Sequence, residues 1–130
     1  MPSQRTKVLL VDDEELVRTL LAHILSDAGF QVEEADNGAS GLQAARRLDG
    51  SVSLVITDIN MPVMDGLEFA RALRATDKQV PFLFITALDP ALVRGAGFKA
   101  EILPKPFTPE AFLETVARLA TPVSGPGQLT

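Results

Sequence analysis

Short unbroken apolar runs alternate along the chain with longer stretches in which apolar residues recur every three or four positions. Residues 7–11 (KVLLV), 53–57 (SLVIT) and 80–86 (VPFLFIT) lack polar alternation, as strands covered on both faces do. Residues 30–35 (FQVEEA) read as a half-exposed strand. Residues 100–104 (AEILP) read as a fifth, which Pro104 assigns to the sheet edge. Helices are predicted between these runs. From Glu14 to Ala28, the residues Val17, Leu20, Leu21, Ile24, Leu25 and Ala28 share helical spacing, and Gly29 supplies a stop. Asn37 caps a second helix with Leu42, Ala45 and Leu48 inward. A third, from Gly66 to Ala75, turns Phe69, Ala70 and Leu73 inward. Asp89-Pro90 opens a fourth that Gly95 and Gly97 stop after about a turn and a half. Thr108-Pro109-Glu110 starts the last, with Phe112, Val116 and Leu119 buried. Residues 121–130 (TPVSGPGQLT) read as a flexible tail, leaving 1–120 as one domain.

Five strands alternating with helical segments predict an α/β fold: a parallel sheet with right-handed crossovers and helices on both faces. In such sheets chemistry gathers at the carboxyl ends of the strands, near the switch in strand order. The polar residues there are Asp12 and Asp13 after the first strand, Asp58 after the third, Thr86 on the fourth and Lys105 after the fifth. Asp36, after the second strand, ranks lower because it lies on the other flank.

Three clustered carboxylates repel one another, and one lysine does not neutralise them. A divalent cation does, and an all-oxygen site selects a hard ion such as Mg²⁺. Asp13 and Asp58 are the expected direct ligands, with a backbone carbonyl from the loop after Asp58, and Asp12 acts through water. Such a site suits phosphoryl chemistry. A carboxylate attacks phosphorus, cations neutralise the equatorial oxygens, and the Thr86 hydroxyl hydrogen-bonds to one of them. Asp58, alone at the end of the central strand and opposite Lys105, is the expected nucleophile.

Composition narrows the classes. A net charge of −5 and a pI near 4.8 leave no basic footprint for nucleic acid, and 12–15 is DDEE. Without cysteine there are no disulfides or thiolate metal sites. No apolar run approaches the roughly 20 residues of a membrane span, and the first residues lack a signal core, so a cytoplasmic location is expected.

The motifs VLLVDDE (8–14), LVITDINMPVMDG (54–66), FITA (84–87) and PKPF (104–107), in that order, resemble the receiver domains of bacterial two-component response regulators. The resemblance runs from Lys7 to Ala120. It implies a flavodoxin-like, doubly wound sheet of order 2-1-3-4-5. It implies that Asp58 accepts a phosphoryl group from a histidine kinase or histidine phosphotransfer protein. It further implies Mg²⁺ on Asp13, Asp58 and the Asn60 carbonyl, with Asp12 acting through water. Lys105 and the N–H groups of Ile59 and Ala87 would contact the phosphoryl group, and the Lys105–Pro106 bond would be cis.

Two departures stand out. Where receivers carry a mobile aromatic on the fifth strand this chain has Ile102, and it has no Tyr or Trp at all. The stretch from Thr86 to Lys105 is also a few residues shorter than usual, resembling single-domain receivers with a compressed fourth helix. The expected role is a stand-alone regulator without a DNA-binding output domain, acting on an unidentified downstream protein. It would bind no nucleic acid or membrane, and would be no enzyme beyond its own phosphotransfer and slow autodephosphorylation. The alternatives are a receiver segment of a hybrid histidine kinase or a phosphatase with an aspartate nucleophile. Phosphatases of the haloacid-dehalogenase type need a second acid two residues on, where this chain has Asn60. A flavodoxin-like FMN carrier would want a Ser/Thr-rich loop in place of DDEE.

Taken singly, these residues are ordinary. DDEE suits any helix start through the helix dipole, and Lys105 alone reads as a surface lysine. GAGFKA (95–100) matches a dinucleotide fingerprint, but between the wrong elements. His23 reads as a surface residue, and Met61 and Met64 as packing. Joint placement at the strand ends carries the functional reading.

Overall fold

The computed structural model describes residues 6–48, 50–61, 63–76, 80–91 and 100–120. The chain runs β1 (Lys7–Val11), α1 (Glu15–Asp27), β2 (Gln31–Ala35), α2 (Gly38–Leu48), β3 (Leu54–Asp58), α3 (Gly66–Arg74), β4 (Phe82–Thr86), β5 (Glu101–Pro104) and α4 (Pro109–Leu119). The strands form one parallel sheet in the order β2-β1-β3-β4-β5. The expected short helix after Asp89 begins at Pro90, but its body, with Gly95 and Gly97, lies outside the described residues, as do most of GAGFKA and the tail from 121.

Burial follows from sheet position. Every residue of β3 and β4 is buried, whereas the edge strands β2 and β5 are mostly half-buried or exposed. The edge location of β5 agrees with Pro104. Successive strand residues point to opposite faces and so divide the core in two. Leu9, Val11, Val55, Phe82 and Phe84 pack with Phe69, Ala70 and Leu73 of α3 and Leu42 of α2. Val8, Leu10, Leu54, Ile56, Leu83 and Ile85 pack with Leu21 and Leu25 of α1 and Phe112 and Val116 of α4.

Three helix expectations need correction. On α1 the buried residues are Leu21, Ala22 and Leu25, while Leu20 is 58% exposed and Ala28 is exposed too. At 100° per residue, the six apolar positions spread too widely for one sheet-facing stripe. The stripe is centred on Leu21 and Leu25, and that row also contains Arg18. On α2, the small residues Gly38, Gly41 and Ala44 share the inner face with Leu42, while Ala45 and Leu48 sit at its margin. On α4, Leu119 is half-buried at the helix end.

The ends otherwise follow local chemistry. Asn37 Oδ1 accepts the Ser40 N–H at 2.9 Å, and Thr108 Oγ1 accepts that of Ala111 at 3.0 Å. Asp65 and Glu68 form a reciprocal capping box at the start of α3. Gly29 stops α1 at φ +99°.

Candidate functional site

Strand register assembles the site. Val11 pairs with Thr57, so Asp12, one residue beyond β1, and Asp58, the last residue of β3, leave the sheet side by side. Asp58 pairs with Ile85 and Thr86 with Pro104, which brings Thr86 and Lys105 to the same rim. Carboxylate oxygens of Asp12, Asp13 and Asp58 lie within 4.8 Å of one another. Lys105 Nζ donates to Asp58 Oδ2 at 3.0 Å. All five strand-end residues thus share one rim. Asp36 does not join them; it lines a groove of about 590 Å³ beside β2 with Glu34 and Arg47.

Asp58 is 7% exposed and lies within the strand, one residue further than the sequence pattern placed the strand end. Its Oδ1 accepts the N–H groups of Ile59 at 2.6 Å and Asn60 at 3.2 Å. The Ile59 N–H, expected to serve a phosphoryl group, here serves the Asp58 carboxylate. Glycine at position 66 makes this loop possible. A Cβ there would collide with the Asp58 carbonyl oxygen and lie 2.9 Å from Ile59 Cα. Instead the Gly66 N–H donates to the Ile59 carbonyl at 2.8 Å.

Asp12 is fully buried. Its Oδ1 accepts the Glu14 N–H at 2.9 Å, but its Oδ2 is buried without a partner. Burial pushes the Asp12 carboxyl above the usual carboxylate range; the charges of Asp58 and Asp13 add to this, while the Glu14 N–H and Lys105 oppose it. For Lys105, burial is the largest single influence and acts downward. The hydrogen bond and charge of Asp58, with the charges of Asp12 and Glu14, outweigh it and hold the ammonium above its ordinary value. Asp13 is exposed at the rim.

These residues fit a small hard cation. A buried carboxylate oxygen that nothing satisfies, beside two further carboxylates and a single ammonium, is a deficit that a divalent ion removes. Thr86 is fully buried, and its Oγ1 accepts the Leu88 N–H at 3.1 Å, while Ala87 is exposed beside it. The Thr86 carbonyl accepts the Lys105 N–H at 2.8 Å, tying the two rim residues together. The Lys105–Pro106 bond is cis. Ile102, at the position where the resembling domains carry an aromatic, is half-buried against the Phe82 and Phe84 cluster.

Two contributors escape the motif reading. Thr57 Oγ1 donates to the Asp58 carbonyl at 2.8 Å. Arg18 Nη1 donates to the Asp12 carbonyl at 2.8 Å. The signal for Arg18 was its spacing of three, four and seven from Leu21, Ala22 and Leu25. His23 is exposed, 3.5 Å from Asp27, as a surface residue would be.

A family model described as response regulator receiver domain matches residues 8–117. Response regulator MprA of Mycolicibacterium vanbaalenii is 39% identical over 130 residues, covering 94% of this chain and 54% of that protein. Sensor kinase CckA of Brucella abortus is 36% identical over 115 residues, 86% of this chain but 12% of its own. The chain thus spans about half the length of MprA and far less of the kinase. The solved structure of chemotaxis response regulator CheY4 of Vibrio cholerae matches with a TM-score of 0.81 and 38% identity, covering 89% of this chain and 99% of that one.

Proposed function

This chain belongs to the response regulator receiver family, and from that premise we propose that Asp58 is the phosphoacceptor of a two-component phosphorelay. The observation that carries this reading is the placement of Asp58. It ends a fully buried central strand, within 4.8 Å of two further carboxylates and 3.0 Å from a lysine.

The donor is a phosphohistidine on a histidine kinase or phosphotransfer protein. An Asp58 carboxylate oxygen attacks phosphorus and an O–P bond forms. The P–N bond breaks, and the imidazole nitrogen leaves with the electron pair and is protonated. Oδ1 is committed to two backbone N–H groups, so Oδ2, facing the movable tip of Lys105, is the attacking atom. Lys105 then passes from the carboxylate to a phosphoryl oxygen. The Thr86 hydroxyl and the Ala87 N–H supply further donors around the new group, while the Ile59 N–H stays on Oδ1 of Asp58. Mg²⁺, held by Asp13, Asp58 and the Asn60 carbonyl with Asp12 behind a water, would neutralise phosphoryl charge during transfer.

The product is a signal rather than a released metabolite. Turnover is limited to the chain's own phosphorylation and slow hydrolysis, and the altered rim changes contacts with a downstream protein. Among the described residues no helix is long and apolar enough to cross a membrane. A cytoplasmic place of action is part of the same proposal, and the net charge of −5 disfavours direct contact with nucleic acid.

Brief incubation with acetyl phosphate and Mg²⁺, followed by intact-mass measurement, tests this. One phosphoryl group is expected, absent in Asp58→Asn and suppressed by EDTA. Lys105→Ala should still bind Mg²⁺ yet handle the phosphoryl group poorly. Sustained hydrolysis of many phosphate esters would replace this reading with a phosphatase.

A further inference from the structure

Arg18 has no part in the chemistry just described, yet its guanidinium reaches the site. It lies one turn into α1, on the sheet-facing row of Leu21, Ala22 and Leu25, with its side chain only 17% exposed. Nη1 donates to the backbone carbonyl of Asp12 at 2.8 Å, and Nε to Glu34 Oε1 on β2 at 3.1 Å. The Asp12 N–H meanwhile donates to the Ala35 carbonyl at 3.1 Å. Both polar groups of the Asp12 backbone are therefore tied to β2, one directly and one through Arg18. Asp13 is different: it is exposed, and among the described residues no hydrogen bond or ion pair holds its carboxylate. The direction in which Asp13 points is set by the peptide plane between Asp12 and Asp13, whose oxygen Arg18 grips.

We propose that Arg18 is the positioning residue of the cation site, fixing the Asp12–Asp13 peptide so that both carboxylates converge with Asp58 before an ion arrives. This rests on the cation site assigned under the proposed function. A planar guanidinium suits the task because its fixed fork serves two acceptors on different elements at once, which a lysine ammonium on a flexible stem does less well. The neighbouring pair Arg47–Glu33, at 2.6 Å, provides the contrast. It joins α2 to the same edge strand, but Arg47 is 61% exposed and its bond is to a β2 side chain rather than to the Asp12 backbone.

Mg²⁺ affinity, measured by calorimetry with MgCl₂ on the whole chain, tests the proposal at a temperature where circular dichroism shows each variant folded. Arg18→Met should weaken Mg²⁺ binding about tenfold, in the range of supporting-residue effects at metal sites, and should shift the Asp13 amide resonance in the ion-free protein. Arg18→Lys should recover part of the loss, and Arg47→Met should stay within twofold of the parent. If Arg18→Met does not fold, Glu34→Ala decides: it removes one anchor of the guanidinium from the surface and should weaken Mg²⁺ several-fold. Parent-like Mg²⁺ affinity in the folded Arg18 variant, or in Glu34→Ala where that one is used, overturns the positioning role. An equal loss in Arg47→Met does the same, because the effect would then belong to the edge strand generally. A parent that binds no Mg²⁺ overturns the cation site and the positioning role together.

Discussion

The ends of β1 and β3 are neighbours, and each carries a buried carboxylate, but the two are supported in opposite ways. At the β3 end the chain turns back over Asp58, so that two backbone N–H groups and Lys105 engage both oxygens. At the β1 end the chain enters α1 directly, so Asp12 receives one N–H and keeps an unsatisfied, buried Oδ2. One end is complete as it stands. The other is unfavourable until something positive arrives. Leaving a buried polar atom unsatisfied costs about 1–3 kcal/mol, which is repaid when an ion binds. A cation bound beside Asp12 would relieve that deficit and so stabilise the folded chain.

The largest expected effect breaks the supported end. Gly66→Ala drives a methyl group into the Asp58 carbonyl and the Ile59 backbone, which only a shift of the loop relieves. A loss of about 2–4 kcal/mol in urea denaturation is expected, with fewer phosphorylated molecules even among those that fold.

The next acts on the unsupported end and has the opposite sign. Asp12→Asn should stabilise the ion-free protein at pH 7 by about 1–2 kcal/mol, since a buried, poorly satisfied charge is removed. The folded carboxyl titrates above its unfolded value. Below the ordinary aspartate pKa of about 4, both states hold the proton and the two proteins should be equally stable. As pH rises, the unfolded chain loses its proton first, so the parent loses ground until the pH passes the raised folded value. Denaturation from pH 3 to 8 reads this directly. Saturating Mg²⁺ should reverse the order at neutral pH, stabilising the parent over the variant.

The smallest effect lies in the loop between β3 and α3. Val63 sits at φ +70°, a conformation that β-branched residues avoid, and its side chain is 83% exposed and contributes little packing. Val63→Gly should relieve about 1–2 kcal/mol of strain while adding roughly 0.5–1 kcal/mol of unfolded-state entropy, for a net gain of about 0.5–1 kcal/mol. The rise should appear in thermal unfolding with Asp58 phosphorylation unchanged. A loss of stability would show that the loop needs valine for packing.

Much of this was legible in the sequence because it is local. Unbroken apolar runs marked β1, β3 and β4, and turn chemistry marked Gly29, Asn37 and Thr108. The strand-end rule then reduced the site to Asp12, Asp13, Asp58, Thr86 and Lys105. What was misread involved orientation. Leu20 and Ala28 fit the helical period of α1 yet face outward, because period fixes spacing but not which side meets the sheet. The same ambiguity hid Arg18, which reads as a surface arginine until the row it shares with Leu21 and Leu25 is known to point inward.

By itself the sequence determined which elements form and which charged residues end them, since hydrophobic period, caps and turn residues act over a few positions. Only the tertiary structure decided how those ends are supported. The two N–H groups on Asp58, the missing partner of Asp12 and the grip of Arg18 on a backbone carbonyl depend on register and helix rotation. Those are set where the sheet packs against the helices on its two faces, through contacts between residues distant in the chain. No local pattern encodes them.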